Sequence, residues 1–347
     1  MARRSGRDRG RRGRRRDGRR PAGRLLPRTF GGPAVARCTV IRRVLVTGAS
    51  GFVGRALVPA LAAADRLVRA AARNPADLPR GDRIEPVRMP DFSEPFDWEP
   101  LLADVDEIVH LAGIPYRSGV EDTVYDRVIR AATGELARAC AGRSIQRVLF
   151  VSSVGAQAGS AVEHPIHETD APHPVTAHDR AKLAAEAELR QARVPFTILR
   201  PALVYGPHVK GNMALLMRIS ASPWPLPAAA FSNRRSLLAL DNLVDAIVFC
   251  LANPATLGET YLVADPDPIT LAEMITILRE AAGRPAAPGA GPPAPFEILL
   301  RSSERSVLWD RIGGELVVDP GKLLATGWRP SVDTRSGLRA TVRAGLD

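Results

Sequence analysis

A doubly wound α/β fold on one parallel sheet, with a smaller C-terminal lobe, is what the sequence predicts, and three observations predict it. From residue 41 short apolar runs alternate with stretches of helical periodicity, and the first run leads straight into a glycine-rich turn. After residue 200 the rhythm breaks into proline-rich connections. Parallel strands need helical crossovers, and a sheet covered on both faces has strands that read as continuous apolar runs rather than alternating ones.

The elements follow in order. "IRRVLVT" (41–47), "RLVRAAA" (66–72), "VDEIVHLA" (105–112), "QRVLFVS" (146–152) and "PFTILR" (195–200) are short apolar runs, so each is expected to be a buried strand. Between them, 52–64, 121–142 and 175–192 carry apolar residues at helical spacing and are expected to be helices. In the C-terminal part "RRSLLAL" (234–240) and "TYLVA" (260–264) read as strands, 242–251 and 270–282 as helices, and "AAGRPAAPGAGPPAP" (281–295) as a surface connection. The expected organisation is a tail at 1–38, a dinucleotide-type α/β domain at 39–200, and a substrate-binding lobe at 201–347 from which 234–252 returns to the α/β core.

Charge separates the tail from the rest. The formal net charge is +11, and residues 1–28 alone hold 13 Arg and 2 Asp, so the remainder is neutral. A segment with that charge and so few apolar residues cannot repay its ordering entropy, and it is expected to be disordered, either a solvated tail or sequence upstream of the native start. Nucleic acid is therefore not the expected partner of the globular part. The longest apolar run of the tail before Pro27, Leu25-Leu26, is too short for an export signal, and nowhere does an apolar run reach the about 18 residues of a membrane span. Cys38, Cys140 and Cys250 stand apart without metal-ligand spacing, which fits packing residues in a reducing cytoplasm; no metal site is expected.

The turn after the first strand, "VTGASGFVG", sets Gly48, Gly51 and Gly54 around Ser50, Phe52 and Val53. Glycine there lets backbone N–H groups and a helix N-terminus approach a pyrophosphate, so the segment is a candidate dinucleotide site of Rossmann type. An acidic residue after the second strand would accept bonds from the ribose of NAD. This chain has Arg73 there, a cation suited to a 2'-phosphate, which tilts the expectation between NAD and NADP toward NADP.

On "VTGASGFVG", "IVHLAG", "VLFVSSVG", "AKLAAE", "LRPALVYGP", "RRSLLALDNLVDAI" and "LLATGWRPSVDTRSGL", in that order over about residues 41–343, the chain resembles the extended short-chain dehydrogenase/reductases, in particular their nucleotide-sugar epimerase, dehydratase and ketoreductase members. The resemblance implies that Gly48, Gly51 and Gly54 hold the cofactor pyrophosphate, that Asp91 lies near the adenine, and that Leu111, Ala112 and Gly113 line the cofactor channel. It implies that Ser153 hydrogen-bonds the reacting sugar oxygen and that Lys182 binds the nicotinamide ribose. Asn212 and Arg235 would contact the phosphates or base of a nucleotide sugar. It also implies a homodimer paired through helices 121–142 and 175–192.

Two positions depart from the family pattern. The catalytic tyrosine, four residues before the lysine, is His178, and an asparagine that helps order the site is Ile129. Residues four apart share a helix face, so His178 and Lys182 can still enter one cleft. A phenol with a pKa of about 10 needs a neighbouring cation to become a base, whereas imidazole at about 6.5 does not. Beside an ammonium, His178 is expected to be neutral, able to accept a proton and poor at giving one. Tyr116 and Tyr205 are alternative phenols, while His167 and His173 show no ligand spacing. Two functions follow: an NAD(P)-dependent nucleotide-sugar epimerase or 4-ketoreductase working at the sugar C4, or a nucleotide- or cofactor-binding protein of the same fold with impaired chemistry.

Overall fold

The structure is a computed structural model that describes residues 41–346 apart from Ser118, Ser160, Glu163, 224–231 and 287–313. The expectations for the arginine-rich tail, Cys38 and most of the 281–295 connection lie outside the described residues.

Strands β1 (Arg43–Thr47), β2 (Leu67–Ala72), β3 (Ile84–Arg88), β4 (Glu107–His110), β5 (Arg147–Val151), β6 (Phe196–Pro201) and β10 (Thr260–Val263) form one parallel sheet in the order β10-β6-β5-β4-β1-β2-β3. Its direction of growth reverses between β1 and β4, where Thr47 pairs with Ala71 on one side and His110 on the other. Ligands of such sheets enter the crevice beyond the carboxyl ends of the strands at that reversal.

Two-residue periodicity splits the strand side chains between two covered faces. Val44, Val46, Val68, Val109 and Leu149 pack with Leu57 and Leu61 of α1 (Phe52–Ala63) and with Leu243 and Ile247 of α8 (Leu240–Ala252). Leu45, Ala71, Ile108, Val148 and Phe150 pack on the other face against Leu101 and Leu102 of α2 (Glu99–Leu102), Ile129 and Leu136 of the helical stretch after β4, and Ala185 and Leu189 of α6 (Ala177–Gln191).

The stretch expected as one helix at 121–142 is three pieces: α3 (Asp122–Tyr125), a π turn (Asp126–Ala131) and α4 (Ala132–Cys140). The strand expected at 234–240 divides into β8 (Arg234–Arg235) and β9 (Leu237–Ala239), and α8 starts at Leu240, two residues early. The reason is pairing: β8 joins β11 (Ile269–Thr270), while β9 joins β7 (Leu203–Tyr205), so one apolar run serves two small sheets. A third cluster, with Tyr205, Met213, Leu237, Leu271, Met274 and Leu338, unites β7, α7 (Asn212–Ser220), α9 (Leu271–Ala281) and α11 (Thr334–Leu346). α5 (Gly155–Ala158) follows β5, and α10 (Gly321–Ala325) packs near β10. Among the described residues no helix is long and apolar enough to cross a membrane.

Candidate active site

The glycine turn is a cradle that tolerates no side chain at its base. Gly48 has φ +70°, and a Cβ there would stand 2.9 Å from the Ala112 backbone nitrogen at the end of β4. Gly54, buried in the first turn of α1, lies against the Gly48 and Ala49 carbonyls. Gly51 is the exposed N-cap of α1, whose first turn carries no side-chain cap and no acidic residue. Bare N–H groups at the positive end of a twelve-residue helix suit an anion, so the turn fits a dinucleotide pyrophosphate. Ser50, Phe52 and Val53 are half-buried around it. Arg73 is exposed immediately beyond β2, and its charge helps hold Asp91 below the usual carboxylate range, behind the larger effect of hydrogen bonds from Ser93 Oγ at 2.6 Å and Ser93 N–H at 2.9 Å. Leu111, Ala112 and Gly113 continue from β4 beside Gly48.

Behind this cradle a buried hydrogen-bond relay has a fixed direction. Thr133 Oγ1 donates to the Ile129 carbonyl at 2.6 Å, so it receives the bond from His110 Nε2 at 3.2 Å. His110 Nδ1 then accepts from Thr47 Oγ1 at 2.7 Å, and Thr47 Oγ1 in turn accepts from the Ala112 N–H at 3.3 Å. The relay links the cofactor crevice to the π turn. Burial, then the nearby Lys182 charge, pushes His110 down to about 3. Its ordinary value is 6.5, so between these values the unfolded chain binds the extra proton. Stability is therefore complete above the ordinary value and drains as pH falls toward 3. In urea titrations His110→Gln is expected to be weaker than wild type at pH 7.5 and to lose about 2 kcal/mol less between pH 6.5 and 5.

Ser153 follows β5, half-buried, its Oγ accepting from the Gly155 N–H at 3.1 Å. Lys182 and His178 come from α6, one turn apart. Lys182 Nζ donates to the Val151 carbonyl at 2.8 Å, two residues before Ser153, and lies 4.7 Å from the centre of the Phe150 ring. Burial pushes this lysine down to about 8, against the opposing pull of Glu186. The His178 ring stands edge-on to Tyr125 at 5.8 Å between centroids, with Nδ1 3.3 Å from Asp179 Oδ1. Lys182 is thus tied to the end of β5, two residues before Ser153, with His178 on the same helix.

Two further groups hold this arrangement. Glu186, fully buried, accepts from Ser152 Oγ at 2.6 Å and from Arg200 Nε at 2.9 Å and Nη2 at 2.6 Å, while Arg200 Nη1 donates to Gln157. Asp179 forms a capping box with Thr176. Neither pair was singled out from the sequence, although Thr-x-x-Asp before α6 is a readable cap signal.

The other candidates lie elsewhere. Tyr205 is no substitute phenol: its hydroxyl is buried and donates to Asp265 at 3.0 Å, and burial pushes its pKa far up. Arg235 is buried in β8 and donates to the Gly314 carbonyl, and Asn212 heads α7 in the C-terminal lobe. Tyr116 lies in the loop after β4, half-buried. His167 Nδ1 is 3.0 Å from Asp319 Oδ2, and His173 is exposed. Cys140 and Cys250 are buried thiols, each pushed up to about 12 by that burial, consistent with packing roles.

Comparison with known proteins adds to this geometry. The model of the NAD dependent epimerase/dehydratase family matches residues 44–264. UDP-glucose 4-epimerase of Vibrio cholerae is 31% identical over 320 residues, spanning 88% of this chain and 96% of that protein. 2'-Dehydrokanamycin reductase of Streptomyces kanamyceticus is 33% identical, spanning 78% of this chain and 76% of its own length. Among solved structures, UDP-glucuronic acid 4-epimerase from Bacillus cereus in complex with NAD superposes with a TM-score of 0.70 at 21% identity, covering 87% of this chain and 98% of the other.

Proposed function

The chain belongs to the NAD dependent epimerase/dehydratase family, an extended short-chain dehydrogenase/reductase, and from that premise we propose that it is a nucleotide-sugar 4-epimerase or 4-ketoreductase. The single observation that supports this reading is the bond that ties Lys182 to the Val151 carbonyl, two residues before Ser153, with His178 one turn from Lys182, at the same carboxyl ends of the sheet strands as the Gly48–Gly54 cradle. Gly48, Ser50, Gly51, Phe52, Val53, Gly54, Asp91, Leu111, Ala112 and Gly113 would hold the nicotinamide dinucleotide, with Lys182 at its nicotinamide ribose. When bound, that cofactor supplies reversible hydride acceptance at the sugar C4.

Ser153 would donate a hydrogen bond to the C4 oxygen and polarise it. His178 would take the hydroxyl proton, directly or through one water, because an imidazole nitrogen reaches roughly 2 Å less far than a phenol oxygen. Asn212 and Arg235 would contact the nucleotide sugar from the C-terminal lobe. Return of hydride to the opposite face gives epimerisation, and a single transfer gives ketoreduction. Purified protein mixed with NAD(H) or NADP(H) and a panel of UDP- and dTDP-sugars is expected to show turnover. Cofactor binding without any turnover or isotope exchange at C4 would instead support the binding-protein reading, which draws on His178 and Ile129 standing in place of tyrosine and asparagine.

Two variants sharpen this. Ser153→Ala is expected to lower kcat by about 100-fold with little change in cofactor affinity, since it removes a donor to the oxygen where charge develops. NADP is the expected preference, because Arg73 stands exposed beyond β2. Arg73→Ala should therefore weaken NADP binding by about tenfold or more in calorimetry and leave NAD affinity nearly unchanged. A homodimer through α3, α4 and α6 is expected, and a measured mass from light scattering checks it. Within one chain, ion pairs of Glu188 with Arg130 and Arg138 tie α6 to the π turn and to α4.

A further inference from the structure

We propose that Asp179 is a positioning residue that holds His178 with its ring proton on Nδ1, so that Nε2 is the atom that takes the proton of the sugar hydroxyl. The role of Nε2 rests on the proposed hydride transfer, whereas the place of the ring proton follows from the contact between Nδ1 and the carboxylate.

The carboxylate is itself fixed. Its Oδ2 accepts from the Thr176 N–H at 3.2 Å and from Thr176 Oγ1 at 2.7 Å, completing the capping box at the start of α6. That commitment turns Oδ1 toward His178 Nδ1, 3.3 Å away. An ionised carboxylate only accepts hydrogen bonds, so the imidazole nitrogen facing it must carry the hydrogen, and the basic lone pair falls on Nε2. The ring is held on another side by Tyr125, whose hydroxyl is pinned by the Arg117 N–H at 2.8 Å and carbonyl at 3.0 Å.

Asp179 also abuts the turn that follows Ser153. A Cβ on Gly155 would collide with the Asp179 carboxylate, and the Gly155 N–H is the group that donates to Ser153 Oγ. One carboxylate therefore orients the imidazole and abuts the turn that carries the serine. In the reaction the hydroxyl O–H and the C4–H bonds break and C=O forms; the proton passes to His178 Nε2 and the hydride to the nicotinamide dinucleotide. The resulting imidazolium lies against Asp179, which offsets the repulsion of the Lys182 ammonium one turn along the helix.

The test uses full-length protein labelled with ¹⁵N-histidine and saturated with NAD(P), with the His178 signals identified by their loss in His178→Gln. Wild type is expected to show a protonated, pyrrole-type Nδ1 and an unprotonated, pyridine-type Nε2. Asp179→Asn keeps an oxygen for the cap, and it should shift the ring toward the other tautomer and lower kcat by about tenfold or more with KM within about twofold. A wild-type ring protonated on Nε2 overturns the proposal whether or not any variant folds. So does Asp179→Asn with undiminished kcat in an enzyme that His178→Gln inactivates. Wild type without turnover but with the Nδ1 proton, lost in Asp179→Asn, counts against the sugar reaction while supporting the role of Asp179.

Discussion

Replacing Arg200 with methionine should lower the unfolding free energy by about 3–5 kcal/mol, read as a fall in the denaturant midpoint. The guanidinium makes two bonds to Glu186, a carboxylate with no exposed surface, and removing it leaves that charge in the interior with Ser152 and the more distant, partly exposed Arg190 as its hydrogen-bonding neighbours. Desolvation without the matching cation decides the size of the effect, since exposed pairs such as Arg180–Asp122 are worth about 1 kcal/mol or less. The double variant Glu186→Gln, Arg200→Met should recover part of the loss, because it removes the stranded charge. Ser152 precedes Ser153, so Arg200→Met is also expected to reduce kcat at temperatures where the protein remains folded.

Gly48→Ala is expected to weaken NAD(P) binding by about 100-fold or more in titration calorimetry, equivalent to about 2.7 kcal/mol. A methyl group there meets the Ala112 nitrogen at 2.9 Å and the Leu111 carbonyl carbon at 3.1 Å, both backbone atoms, which can give way only by moving β4 out of register with β1. Gly142 provides the control. It shares the positive φ, +76°, but a Cβ there would meet nothing within 4 Å. Gly142→Ala should therefore cost only backbone strain of about 1–2 kcal/mol in stability and leave cofactor affinity alone. Equal loss of affinity in both variants would mean that strain, not closure of the crevice, governs binding.

The sheet was readable where its strands are apolar throughout, as in "VLVT" and "VLFV", because burial on both faces leaves no polar alternation to confuse. β3, "IEPVR", escaped because it is the half-exposed edge of the sheet and contains a proline. The glycine cradle was readable because its chemistry belongs to the backbone and is announced by residue type and spacing. The supports of the site were not. Glu186 and Arg200 are ordinary charged residues until the fold buries them together, and Asp179 signals a helix start while its second oxygen faces the neighbouring imidazole. Along the helix His178 pairs by spacing with Lys182 alone, the repulsive half of its surroundings; the carboxylate half, Asp179, is turned to the ring by the cap.

A π turn is a helix with one surplus residue, and a surplus residue rotates everything upstream of it by about 100° relative to everything downstream. Tyr125 lies just upstream of such a turn and Thr133 just downstream. The angular offset lets one crossover segment present an aromatic ring to His178 and a hydroxyl to His110, two surfaces that an unbroken spiral would aim differently. Ile129 falls inside that offset, so matching it to a relative's asparagine by counting along the chain compares residues on different azimuths wherever the relative winds without the extra residue.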